Sequence, residues 1–150
     1  MSLPKNILVP VDFSEHSQRA LDYAVELAAK LDAKVHLLNV IGIPALGVPE
    51  LGVALTAAVI DNLVKDNQAA LDKLADPRRK RASIGEVMLR TGDTRDMILQ
   101  ACTEVNADLI VMGTHGRRGV SRALLGSVAE SVVRTAPCPV LAIRPPKDHK

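Results

Sequence analysis

Residues 5–41 read KNILVPVDFSEHSQRALDYAVELAAKLDAKVHLLNVI, and the stretch changes period twice. Ile7, Leu8 and Val9 form an apolar run without alternation, the pattern of a strand buried on both faces of a parallel sheet. From Ser14 the period becomes helical: Ala20, Leu21, Ala24, Val25, Leu27, Ala28 and Leu31 fall on one stripe. Ser14 is placed to cap that helix, and Glu15 suits the positive end of its dipole. Lys34 to Ile41 returns to strand. Strand, helix, strand predicts two parallel strands joined by a right-handed crossover. Pro10 objects within the first strand, drawn from Lys5 to Asp12. Lacking an N–H, it belongs where the strand leaves the sheet.

The alternation continues down the chain. Residues 41–52, IGIPALGVPELG, fit neither period and read as a surface loop. Leu55, Val59, Ile60, Leu63, Ala70, Leu71 and Leu74 mark a second helix, stopped by Asp76-Pro77. The basic run Arg78 to Arg81 reads as a solvated loop rather than a nucleic-acid patch. Ile84 to Arg90 is a third strand. Asp93 to Val105 is a third helix, with Met97, Ile98, Ala101 and Val105 facing inward. Asp108 to Met112 is a fourth strand, Ser127 to Thr135 a short fourth helix, and Pro139 to Arg144 a fifth strand. The expected fold is α/β: an open doubly wound five-stranded parallel sheet, order 3-2-1-4-5, with helices on both faces. Residues 1–146 would form this single domain and 147–150 a disordered tail. Strand order reverses between strands one and four, so ligand should bind beside Val11-Asp12 and Met112-Gly113.

Composition removes several classes. The 150 residues carry a net charge of +2, which gives no global pull toward nucleic acid or membrane. With one Phe, one Tyr and no Trp, the chain lacks platforms for stacking bases of a single strand. No run approaches the ~20 apolar residues of a membrane span. The N-terminus has no secretory pattern. Cys102 and Cys138 show no CxxC spacing and are expected to be buried free thiols in a reducing cytoplasm. His16, in the first helical turn, is expected to face solvent. His36 should be packed or hydrogen-bonded in its strand, and His149 should lie in the frayed tail. No Ser, His and acid trio falls at converging strand ends, so hydrolase chemistry lacks a nucleophile.

Between the fourth strand and the fourth helix stands GTHGRRGVSRALLGS, Gly113 to Ser127. Glycines let phosphate oxygens approach backbone N–H groups, and a helix N-terminus adds unpaired donors. Gly113, Gly116 and Gly119 supply that freedom, Gly126-Ser127 opens the helix, and Arg117, Arg118 and Arg122 offer charge. A phosphate cradle and a flexible solvated loop both fit these residues. The familiar phosphate motifs are missing: Gly47 to Gly52 has P-loop glycine spacing but Val53 in place of lysine, and no GxGxxG follows the first strand.

The spacing G-x2-G-x9-G-S, met by Gly113, Gly116, Gly126 and Ser127, resembles the nucleotide-binding signature of the universal stress protein family. ILVPVDFSEHSQRALDYAVELA, GDTRDMILQACTEVNADLIVMGTHGRRG and LLGSVAESVVRTAPCPVLAIRP resemble its opening, centre and close. The resemblance implies a Rossmann-like domain that binds ATP (or ADP or AMP) and forms homodimers. By position, Gly113, Gly116, Gly126 and Ser127 would hold phosphates and ribose, joined by His115, Arg117, Arg118 and Val128. Pro10, Val11, Asp12 and Val40 would border adenine and ribose, with Met112 a further aliphatic wall. Asp12 could also meet a Mg2+ or Mn2+ ion alongside the phosphates.

The last strand is apolar on both faces yet sits at a sheet edge. Pairing with its twin through Val140, Leu141, Ala142 and Ile143 would cover it, and the resemblance points to the same dimer. The expected function is a cytoplasmic, homodimeric, ATP-binding sensor or regulator in stress adaptation, acting on an unidentified protein partner. It is not expected to be an enzyme beyond slow ATP hydrolysis. A slow ATPase or adenylate-transferring enzyme, and a dimeric interaction module without nucleotide, are the alternatives.

Overall fold

A computed structural model of the chain describes residues 2–42, 47–48, 53–54, 57–115 and 125–146. Strand β1 (Asn6–Pro10) leads through helix α1 (Glu15–Leu31) to β2 (Lys34–Gly42). Two short strands, β3 (Gly47–Val48) and β4 (Val53–Ala54), precede α2 (Ala57–Arg78) and β5 (Ser83–Gly92). Helix α3 (Thr94–Glu104), β6 (Leu109–Gly113), α4 (Ser127–Thr135) and β7 (Val140–Ile143) complete the described chain. The main sheet runs β5-β2-β1-β6-β7 with every pairing parallel, the order expected from the sequence.

The unbroken apolar run of β1 has its reason in the two layers. Ile7 and Val9 pack on one face with Ala20, Leu21, Ala24 and Val25 of α1 and Leu71 and Ala75 of α2. Leu8 packs on the other with Ile98, Ala101 and Cys102 of α3 and Ala129 and Val132 of α4. Ser14 caps α1 as expected, its Oγ accepting from the Ser17 N–H at 3.2 Å.

Pro10 closes β1 in a way that shapes the crevice. The Val11 N–H donates to the Leu38 carbonyl at 2.8 Å, so Val11 faces β2 and Pro10, one residue earlier, faces β6. On that side the ladder stops at the Leu8–Ile110 pair. The missing N–H of proline therefore falls where β1 and β6 part.

Four expectations are corrected. Pro77 does not stop the second helix, which runs on to Arg78. Pro77 forfeits its own i−4 bond, and the helix end is held instead by the Arg78 guanidinium, which donates to the Leu74 carbonyl at 2.8 Å and pairs with Asp22 at 2.9 Å. Arg78 is thus the end of a helix, not part of a solvated loop, and Arg81 pairs with Glu26 at 3.6 Å. Val59 is exposed rather than on the buried stripe. The second strand holds Ile41 as expected, and within the stretch read as loop Gly42 extends β2 while Gly47–Val48 pairs antiparallel with Val53–Ala54. Leu55 and the tail 147–150, with His149, lie outside the described residues.

Candidate functional site

The turn after β1 is tightly specified. Phe13 adopts φ 65°, a left-handed conformation uncommon for a bulky residue, and its side chain packs against the α1 core. Around it, Asp12 Oδ1 accepts from the Ser14 N–H at 3.0 Å and the Asp12 N–H donates to Ser17 Oγ at 3.2 Å. The Val11 carbonyl accepts from Asn39 Nδ2 at 2.8 Å, and Asn67 Nδ2 donates to Asn39 Oδ1 at 3.2 Å. Backbone at the end of β1 is held from both the α1 and the β2 sides.

Across the crevice, Gly113 ends β6 and Gly126 precedes α4. The Gly126 N–H donates to the Thr114 carbonyl at 2.7 Å, and a Cβ on Gly126 would stand 2.7 Å from that oxygen. Glycine is required here by close approach, since its φ of −61° is open to any residue. Among the described residues no side chain caps α4, whose N-cap is Gly126. Its first-turn residues Ser127, Val128 and Ala129, whose N–H groups by helix geometry have no intrahelical acceptor, line the crevice. His115 is buried, its Nδ1 3.0 Å from Thr114 Oγ1.

These elements enclose a cavity of about 810 Å³ at the carboxyl ends of β1 and β6. Pro10, Val11, Asp12, Val40, Met112, Gly113, His115, Gly126, Ser127 and Val128 all line it. Gly116, Arg117 and Arg118 lie outside the described residues. Volume and lining suit a ligand with an apolar ring and an anionic end: aliphatic Val11, Val40 and Met112 on one part, helix amides on the other. Among the described residues no three His, Cys, Asp or Glu side chains gather as a metal site, so a cation at Asp12 would need ligand oxygens as well.

Sequence reasoning missed Ser17, Thr94, Ile98, Thr114 and Glu130, which also line the cavity. Thr94 had a signal: it follows the Asp93 cap at the carboxyl end of a sheet strand, where this fold places ligands. His16 is corrected. Its ring lies 6.1 Å from that of His115 rather than in solvent. Its Nδ1 is buried without a hydrogen-bond partner among the described residues.

A model of the universal stress protein family matches residues 4–144. A universal stress protein of Methanocaldococcus jannaschii is 38% identical over 150 residues, covering 97% of this chain and 85% of the relative. A universal stress protein solved in complex with cAMP superposes with a TM-score of 0.68 at 26% identity, over 95% of this chain and 98% of the other. One from Archaeoglobus fulgidus in complex with dAMP gives 0.65 at 25% identity, over 96% and 100%.

Proposed function

The chain belongs to the universal stress protein family, and on that premise we propose that it is a homodimeric ATP-binding regulator rather than an enzyme. One observation carries the reading. The uncapped N-terminus of α4 opens into the same cavity as the end of β1, at the point where strand order reverses. Solved relatives that hold cAMP and dAMP support an adenine nucleotide as the class of ligand.

In this reading adenine rests between Val11, Val40 and Met112. Amides of Ser127 and Val128, with His115, take the phosphates; Gly126, its own N–H donated to the Thr114 carbonyl, seats that helix turn against β6, and Gly113 lets the phosphates approach. Gly116, Arg117 and Arg118 complete the grip by their place in the motif. The Asp12 carboxylate shares a Mg2+ or Mn2+ ion with phosphate oxygens; an acidic oxygen donor on the cavity wall fits such a cation. Edge strand β7, whose residues are all half-buried in the single chain, pairs with its twin. Nucleotide occupancy changes the surface at this crevice, and a protein partner reads that surface. No helix among the described residues is long and apolar enough to cross a membrane, and the proposed setting is the cytoplasm.

Mass analysis of ligand released by denaturing the purified protein, followed by calorimetric titration with ATP, ADP, AMP and cAMP, tests the proposal. Saturable binding with ATP preferred supports it. An empty protein that gives no heat with any of the four would overturn it and favour the interaction module.

A further inference from the structure

Cys102 and Cys138 stand 36 positions apart in sequence, yet their sulfur atoms are 3.5 Å apart. Both are free thiols, Cys102 buried and Cys138 half-buried. Their meeting is built into the backbone. Cys102 lies in the last turns of α3, where its carbonyl accepts from the Ala107 N–H at 2.9 Å. Cys138 precedes Pro139, whose carbonyl accepts from the Ile110 N–H at 3.0 Å and fixes the segment to β6. Cys102 belongs to the core layer under α3 and α4, and Cys138 packs against that layer together with apolar Val105, Ala107, Ala136 and Val140. A disulfide needs sulfurs about 2.05 Å apart, so each side chain must advance by roughly 0.7 Å. Two adjacent thiols in an apolar pocket can be simple core residues. That role, however, asks neither for two sulfurs nor for a partly exposed one.

We propose that Cys102 and Cys138 form a redox modification site, a dithiol that closes to an intramolecular disulfide when a small-molecule disulfide is the oxidant. Cys138, the more exposed, attacks as thiolate, forms a mixed disulfide and expels one small thiolate. Cys102, its proton released, attacks the Cys138 sulfur and expels the second. One S–S bond breaks and one forms. The protein thiols lose two electrons, the small disulfide gains them, and the two protein protons pass to the departing thiolates. The new bond ties the end of α3 to the entry of β7. The covalent loop it closes contains β6 and α4, and with them Met112, Gly113, His115, Gly126 and Ser127 of the cavity wall.

The test uses the full chain, reduced and then incubated with oxidised glutathione. Free thiols are counted after denaturation, cross-linked peptides are mapped, and chain size is read on a non-reducing denaturing gel. The expected result is joint loss of both thiols, one peptide pair linked through residues 102 and 138, and no covalent dimer. In Cys138→Ser the buried Cys102 should stay free under the same treatment. Two thiols that persist through prolonged oxidation, thiols lost as separate glutathione adducts, or links only between chains would each overturn the proposal. The readout needs no nucleotide, so its failure is separate from failure of the binding function.

Discussion

Gly126 and Thr114 meet main chain to main chain, at a hydrogen bond of 2.7 Å that leaves no room for a Cβ on Gly126. That contact sets the first turn of α4 against the end of β6, with Ser127, Val128 and Ala129 on the cavity wall. Gly126→Val should push the two apart. We expect a folded variant, destabilised by about 1–3 kcal/mol, with Tm lower by ~2–4 °C for each kcal/mol. Affinity for ATP should fall at least about a hundredfold, roughly 2.7 kcal/mol. Calorimetry on the folded variant decides, and unchanged affinity removes the α4 amides from the site.

The layers were legible because burial on two faces leaves a mark in sequence: Ile7, Leu8 and Val9 need partners above and below. Pro10 was legible because a missing donor has few places to go. Other features depend on neighbours distant in sequence. Asn39 looks like a misplaced polar residue in a strand until the Val11 carbonyl is seen beside it. His16 could be placed only once β6 delivered His115 to its side. The helix passing through Pro77 rests on the Arg78–Asp22 pair, 56 positions apart. The strands Gly47–Val48 and Val53–Ala54 are too short to show a period.

Asp12 tests the cation. Its Oδ1 already accepts from the Ser14 N–H, a bond that asparagine can keep, so Asp12→Asn removes charge without unmaking the turn. If this carboxylate shares Mg2+ with the phosphates, magnesium should strengthen ATP binding in the parent protein and do so about tenfold less in the variant. Titrations with and without magnesium measure this. Equal magnesium effects in both proteins would place the ion elsewhere.

Strand β7 offers a paired test of the dimer. The Pro139 carbonyl accepts from Ile110 of β6 and the Ile143 carbonyl from Thr114 just past its end, so Leu141 also turns its backbone inward, while Val140 and Ala142 turn theirs to the open edge. Ala142→Pro should therefore remove an edge donor and leave the β6 ladder whole. Leu141→Pro breaks the ladder itself and should cost about 3 kcal/mol or more. Light scattering should give a folded monomer for Ala142→Pro. A folded dimer in that variant would move the interface off this strand.

His36 makes stability depend on pH. Its Nδ1 accepts from the Glu86 N–H at 2.9 Å, so the ring proton sits on Nε2, 3.1 Å from Asn6 Oδ1. Gly85 has no Cβ because the ring occupies that space. Burial first, then nearby Lys34, holds the His36 pKa below its ordinary 6.5, with Glu86 opposing in part. The neutral ring's contribution is present above pH 6.5 and is lost as pH falls through the depressed folded value, because the unfolded chain takes up the proton first. Tm should drop on acidification below 6.5. A ring titration by NMR with its midpoint at or above 6.5 would refute the assignment.

The dithiol predicts its own kinetics. Burial, the hydrogen bond to Cys102 and the neighbouring charges of Cys102 and Asp108 push the Cys138 thiol up to about 12. Only the thiolate attacks a disulfide, so closure by oxidised glutathione should be slow at neutral pH and quicken about tenfold per pH unit. Once formed, the bond spans a loop long enough to add about 2–4 kcal/mol. The oxidised protein should then melt higher, by ~2–4 °C per kcal/mol. Stopped samples taken across a pH series, each followed by a thermal melt, measure both. A closure rate that ignores pH would mean that thiolate attack does not limit closure.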